Sequence, residues 1–345
     1  MKPLFAAIVL LALVAELKAV TIPTVPVGNA GNDNDPLTGG LYGGVAYNYR
    51  IGTTEVTNSQ YVEFLNAKAA SDPLALYSTL MQFESRAGIS RSGSNGSYTY
   101  AAKPSMGNKP VMFVSWYGTI RFANWLSNGQ GNGDTETGSY TLLGGTPAPS
   151  NGLSITRSAG ATWVLPSENE WYKAAYHQPA AQGGDLDDYW LFATGSNSAP
   201  TLATASSSGD ISNPGPNVAN YNSGADWNGL HGNVTTVGSA GSLSQGFYGT
   251  FDQTGNVYEW NEALINSGRG IRGGGWGNGG LQSLNRHNQD PAAFLNAIGF
   301  RVALVPEPST YVMAAFAILS FLALGHRRRK SITNRQQSGY PPTPT

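Results

Sequence analysis

The 345-residue sequence predicts one loop-rich domain with little regular secondary structure, carried between two short address segments. Three observations predict it. Hydrophobic residues make up 40% of the chain, ample to fill a core. Charged residues make up only 12%, about half of the roughly 25% found in an average soluble domain. The 44 glycines, with abundant Ser, Asn and Thr, break the chain every few residues and favour turns over long helices.

Taken in order, the elements begin with an address. Lys2, an apolar run from Leu4 to Ala15 and a small-residue exit at Ala19 predict a signal peptide over residues 1–19. Thr57-Asn58-Ser59-Gln60 then predicts a capping box, with Tyr61, Phe64 and Leu65 on one helix face. Ser115 opens a second helix, with Trp116, Ile120 and Ala123 spaced for burial. Ser167 caps a third, and Glu170 is placed to reach back to it. Segments 90–97, 127–139, 144–152 and 196–216 predict surface loops. Neither a fixed-period repeat nor a clean linker divides residues 20–304, which therefore predict one domain.

The C-terminal end has three parts. Val305-Pro306-Glu307-Pro308-Ser309-Thr310 precedes apolar Tyr311–Leu324 and then Arg327-Arg328-Arg329-Lys330. The apolar stretch is short for a stable span, which needs about 20 residues, and the basic cluster fits a cytoplasmic flank. A polar tail, 331–345, follows.

Charge and composition exclude several functions. The full chain carries a net charge of −1. Residues 20–304 hold 13 basic and 19 acidic side chains, a balance of −6, so nothing suggests a surface for nucleic acid. Cys is absent, which removes disulfides, thiolate metal sites and thiol nucleophiles. The four histidines, His177, His231, His287 and His326, show no helical metal-ligand spacing. Gly273, Gly274 and Gly275 lack the Lys-Ser/Thr of a phosphate loop and imply close backbone packing.

Three blocks stand in one order near the end: GFYGTFDQTGNVYEWNEA (246–263), GIRGGGW (270–276) and NAIGFRVAL (296–304). With Glu55-Val56-Thr57-Asn58, Val114-Ser115-Trp116 and Leu165-Pro166-Ser167-Glu168, they cover residues 45–304. The set resembles the formylglycine-generating enzyme, or sulfatase-modifying factor, domain family. The resemblance implies an α+β, C-type-lectin-like fold in which Trp116, Trp171 and Trp260 are buried. The tail resembles the PEP-CTERM sorting signal of Gram-negative bacteria, with Pro306, Glu307 and Pro308 as the motif and a transmembrane helix inside 305–330. That resemblance implies an exosortase-type sorting enzyme as partner, an inner-membrane intermediate and a final place at the cell surface or in the extracellular matrix. Residues 331–345 depart from it, because the family usually stops at the basic cluster.

The family's oxidase chemistry uses a cysteine pair, and its positions fall here on Asn278 and Ser283. Amide and hydroxyl oxygens are hard, weak ligands for copper(I), so no copper is expected. Calcium fits better. Asp252 and Glu259 flank a glycine-containing turn, and hard cations take carboxylates with backbone carbonyls between them. By resemblance the ligands are the Asp252 and Glu259 side chains with the Gly255 and Val257 carbonyls. A second family site maps to the Asn220 and Asn228 side chains with the Tyr221 and Leu230 carbonyls. Trp227 and Trp276 sit among polar loop residues and are expected to face a ligand.

Two functions follow. The first is an exported binding or structural module without formylglycine-forming activity, with an extracellular polysaccharide or a protein as ligand. The second is an oxidoreductase-type enzyme with a rebuilt centre, or a hydrolase, for which a Ser283–His287 hydrogen bond would speak.

Overall fold

Short apolar stretches separated by Gly, Asn and Ser turns produce many short strands and few helices in the computed structural model, which describes residues 19–306. The first half holds β1 (Thr24–Val27), β2 (Tyr49–Gly52), α1 (Asn58–Lys68), α2 (Leu80–Phe83), β3 (Ile89–Ser92), β4 (Thr99–Ala102) and α3 (Trp116–Ser127). Next come β5 (Trp163–Val164), α4 (Glu168–Tyr176), β6 (Thr201–Leu202) and β7 (Val218–Ala219). The last are β8 (Tyr258–Ile265), β9 (Gly268–Arg272), β10 (His287–Gln289), β11 (Ile298–Gly299) and β12 (Ala303–Leu304).

The three expected helices start where their caps predict. Thr57 accepts from the Gln60 N–H, and the Gln60 side chain accepts from the Thr57 N–H at 2.9 Å. Ser115 caps α3 by accepting from the Gly118 N–H at 3.1 Å. Ser167 and Glu170 complete the capping box of α4. The single turn of α2 is too short to leave a periodic signal.

Helix α3 is buried on every side from Trp116 to Leu126, which its apolar stripe understates. Its polar residues are consumed locally. Arg121 binds Glu136 through Nε at 2.6 Å and the Thr146 and Pro147 carbonyls, and Asn124 donates to the Thr135 and Tyr140 carbonyls. The 127–139 and 144–152 loops are therefore stitched to a buried helix. Segment 90–97 differs from expectation, since its first residues belong to the β3–β4 hairpin.

Four strands form one sheet in the order β1-β2-β12-β5, all antiparallel. The last strand thus lies between β2 and β5 and closes the two ends of the domain together. A second sheet runs β10-β9-β8-β11, parallel only between β11 and β8. Between the sheets and helices sits an aromatic core in which Tyr61, Phe64, Phe122, Trp125 and Phe300 meet at centroid distances of 5.3–6.2 Å. Truncating one such ring typically costs about 3–5 kcal/mol. Trp116, Trp171 and Trp260 are fully buried, as the family blocks imply.

The predicted signal peptide and sorting segment lie outside the described residues, apart from Ala19, Val305 and Pro306. No helix among the described residues is long and apolar enough to cross a membrane.

Candidate functional site

Strand β9 ends at Arg272, and Gly273 and Gly274 follow with φ of 99° and 77°. A Cβ on Gly274 would stand 2.6 Å from Leu281, and one on Gly273 would stand 3.2 Å from Trp171. Close packing is therefore the reason for these glycines. Arg272 donates to Glu168 Oε1 at 2.8 Å and to the Ser283 and Asn285 carbonyls at 2.9 and 3.0 Å. Arg286 adds two bonds of 2.7 Å to the same carboxylate. Two guanidiniums on one carboxylate pin the 273–286 segment to the first turn of α4.

The pinned segment borders an open groove of about 570 Å³ lined by Tyr258, Asn278, Arg286, His287, Asn296 and Ile298, among others. A second groove of about 460 Å³, bordered by Tyr117, Leu153, Gly268 and Asp290, shares Asn288 and Gln289 with the first. Strand β10 is the edge of its sheet, so the two grooves adjoin along a free strand edge. Four carboxamides, Asn278, Asn288, Gln289 and Asn296, share the lining with Arg286, His287, Asp290, two tyrosines and several aliphatic side chains.

Asn278, at the first cysteine position, lines this groove. Ser283 does not. It is buried, and its Oγ lies near Tyr172 without a hydrogen-bond partner among the described residues. His287 is exposed on β10 with its ring edge-on to Tyr258, at 5.7 Å between centroids. The Ser283–His287 hydrogen bond that would mark a hydrolase is not formed. The burial of one partner and the exposure of the other account for that.

The other histidines are also separate. Burial, followed by the nearby Lys173 charge, lowers His177 to about 4, and its Nδ1 lies 2.7 Å from the Tyr248 hydroxyl. His231 is exposed beside Asp226. His326 lies outside the described residues. Among the described residues, no group of three His, Asp or Glu side chains is arranged to hold a metal ion.

Trp227 and Trp276, expected to face a ligand, are instead buried, at 6% and 8% exposure. Trp227 donates to the Val234 carbonyl at 2.8 Å, and Lys109 Nζ lies 4.8 Å over its ring. The Arg86 guanidinium covers Trp276 at 4.2 Å. Lys109 and Arg86 reach these rings from more than a hundred positions away in the chain, so local polarity misreports their burial.

The turn from Asp252 to Glu259 has the left-handed residues that a tight ligand-binding loop needs: Asp252, Gly255 and Asn256, at φ of 62°, 92° and 59°. A Cβ on Gly255 would strike the Asn220 carbonyl oxygen at 2.4 Å. Asp252 accepts from the Gly238 N–H at 2.6 Å. Burial raises Asp252 to about 6, and burial with the Asp252 charge holds Glu55 well above the usual carboxylate range. Glu259 does not fit the expected ligand role. Arg301 takes both of its oxygens, at 2.6 and 2.7 Å, and Trp171 Nε1 donates to it at 2.8 Å.

At the second expected site Asn220 is buried and Asn228 exposed. Asn220 Nδ2 donates to the Asn233 carbonyl at 2.8 Å, while its Oδ1 has no partner among the described residues. The Tyr221 carbonyl accepts from the Gly224 N–H at 3.0 Å, and Asn228 and Leu230 belong to a turn closed between Trp227 and Leu230. No hydrogen bond among the described residues joins Asn228 to Asn220. Sequence reasoning missed Glu55, whose place in the Glu55-Val56-Thr57-Asn58 block was read only as a helix start.

The fold and these sites can be set beside known proteins. Treponema denticola variable protein 1 is 20% identical and aligns over 84% of this chain and 97% of its own, with a TM-score of 0.48. CarF is 19% identical and aligns over 84% of this chain and 100% of its own, with a TM-score of 0.51. The likeness to CarF supports the shared fold and nothing further. No curated protein matches the chain. Residues 42–305 match the family described as the sulfatase-modifying factor enzyme 1-like domain. With most of its length inside that match, and with the glycine turn, the buried tryptophans and the buried GFR segment in place, the chain belongs to the sulfatase-modifying factor enzyme 1-like domain family.

Proposed function

We propose that this chain is an exported, surface-sorted binding module that holds a neutral polysaccharide in the two adjoining grooves along β10. One observation carries the reading. The groove at the family's first cysteine position is present, but its lining is amide-rich and holds Asn278 where the thiol would stand. Function follows from the site rather than from the fold. Carboxamides offer a donor and an acceptor together, which suits adjacent sugar hydroxyls, and half-buried Tyr258 offers part of an aromatic ring. Neither Asn278 nor Ser283 supplies a thiolate for the family's oxidase chemistry.

The ends of the chain support delivery to the outside. Residues 1–19 have the composition of a secretory signal, and Pro306-Glu307-Pro308 precedes an apolar stretch and a basic cluster. An exosortase-type enzyme would release or attach the domain at the surface of a Gram-negative cell.

Retention of the purified protein on a panel of immobilised neutral polysaccharides tests the reading. Gln289→Ala with Asn296→Ala alters two exposed groove residues and should weaken retention at least tenfold with an unchanged unfolding midpoint. Absence of retention on every polysaccharide, or equal retention of the variant, would reject it.

A further inference from the structure

An asparagine followed by glycine is prone to lose ammonia, because a glycine backbone lets its own nitrogen approach the preceding side chain. The chain holds six such pairs. In four of them the glycine N–H is already committed. Gly96, Gly129, Gly133 and Gly152 donate to the Ala70, Leu126, Gln130 and Pro149 carbonyls at 2.7–3.3 Å. In a fifth, Asn228 and Gly229 are both left-handed, at φ of 55° and 72°. They sit inside the turn that the Leu230 N–H closes on the Trp227 carbonyl at 3.1 Å.

The sixth pair is Asn278–Gly279, and Asn278 lies on the groove. Asn278 is exposed, and its own N–H ends a turn by donating to the Gly275 carbonyl at 3.2 Å. Gly279 therefore falls outside that turn. Among the described residues its N–H has no acceptor, and the Asn278 carboxamide has no hydrogen-bond partner. A Cβ on Gly277 or Gly279 would meet nothing within 4 Å, so the backbone has room to rotate on both sides of Asn278. Tyr258 donates to the Gly279 carbonyl at 2.9 Å, which holds one side of the glycine and leaves its nitrogen free.

We propose that Asn278 is a self-modifying residue that turns one groove amide into a carboxylate as the protein ages. The Gly279 nitrogen gives up its proton and bonds to Asn278 Cγ. The Cγ–Nδ2 bond breaks, and ammonia leaves with that proton. Water then opens the resulting five-membered imide at one of its two carbonyls, giving aspartate or its β-linked isomer. Neither an oxidant nor a reductant takes part. Either product replaces a group that donates and accepts by one that only accepts, and adds a negative charge to the groove that holds Arg286 and His287. The β-linked product also lengthens the backbone just before the carbonyl that Tyr258 holds. The effect on a neutral polysaccharide rests on the groove reading above, whereas the modification itself does not.

The test incubates the purified full-length chain at neutral and alkaline pH. Mass spectrometry of the six Asn-Gly peptides follows the exchange of amide for acid. Conversion at Asn278 should run at least tenfold faster than at Asn95, Asn128, Asn132 and Asn151, and faster still in alkali, which favours loss of the glycine proton. Gly279 has a φ outside the left-handed region and open space around it, so Gly279→Ala is accommodated while its methyl group hinders ring closure. That variant should convert at least tenfold more slowly with an unchanged unfolding midpoint. Retention of the wild type on neutral polysaccharide should fall as conversion proceeds. Asn278→Asp should start at the fallen value, and Gly279→Ala should keep the initial one. Conversion at Asn278 no faster than at the four hydrogen-bonded pairs, or unaffected by Gly279→Ala, would overturn the proposal. Complete conversion with unchanged retention would overturn its effect on the groove. Fresh wild-type protein retained on no polysaccharide would count against the groove reading alone, because the peptide masses report the modification independently.

Discussion

Arg301 closes on Glu259 through paired hydrogen bonds, Nε to Oε2 at 2.6 Å and Nη2 to Oε1 at 2.7 Å, and neither side chain reaches solvent. Through Trp171, which donates to the same carboxylate, the pair joins the β11–β12 connection, β8 and α4. Removing one partner strands a buried charge, so Glu259→Gln should cost about 3–5 kcal/mol of unfolding free energy. Replacing both, by Glu259→Leu with Arg301→Met, should cost less than the sum of the two single changes. Denaturant titration measures all of these. Additive losses would show that the two side chains act independently.

The capping box of α4 allows a graded comparison. Ser167→Ala removes one acceptor from a helix start and should cost about 1 kcal/mol. Glu170 does more. It caps the Ser167 N–H, accepts from the Tyr47 hydroxyl at 2.5 Å and pairs with Arg157, which also binds Glu262 at 2.7 Å. Glu170→Gln should therefore cost about 3 kcal/mol. Equal losses in the two variants, by the same denaturant measurement, would mean that Glu170 acts only as a cap.

How far each feature could be read from sequence depended on how local its physics is. Thr57 with Gln60 and Ser167 with Glu170 are partners three positions apart, so the capping boxes were legible residue by residue. Trp116, Trp171 and Trp260 could be placed because family blocks carried them. Arg157 with Glu262, 105 positions apart, left no local trace. Nor did Arg301 with Glu259, so a carboxylate suited to calcium proved to be engaged by a guanidinium. Trp227 and Trp276 failed for the related reason that long-range packing by Lys109 and Arg86 decides their burial. The grooves along β10 escaped because they arise where the 278–298 segments meet.

Loss of the thiols should be functionally complete for the family's oxidation. With Asn278 in the groove and Ser283 buried away from it, a sulfatase-derived cysteine peptide should yield no formylglycine, with or without added copper. Mass spectrometry of the peptide checks this. Aldehyde above a no-protein control would establish an oxidase centre built from other residues.

His177 should make stability depend on pH in the acid range. It follows the C-terminal end of α4, with its ring stacked on Tyr248 at 8° and its Nδ1 2.7 Å from that hydroxyl. Burial lowers its pKa from 6.5 to about 4, Lys173 adds to the effect, and Asp188 opposes it. Between these values the unfolded chain binds a proton that the folded chain refuses. His177 therefore costs nothing above pH 6.5, and its contribution falls as pH drops toward 4. At about 1.4 kcal/mol per pKa unit the loss is bounded near 3 kcal/mol, and residual solvent access brings the expected value to about 2 kcal/mol. Asp252, raised to about 6, acts in the opposite direction, so the measurement must be a difference. His177→Gln keeps a polar group near Tyr248 without the titration. The wild-type advantage over this variant, followed by denaturant unfolding from pH 7 to pH 4, should shrink steadily with acid. Parallel curves across that range would mean that His177 accepts its proton in the folded state as readily as in the unfolded chain.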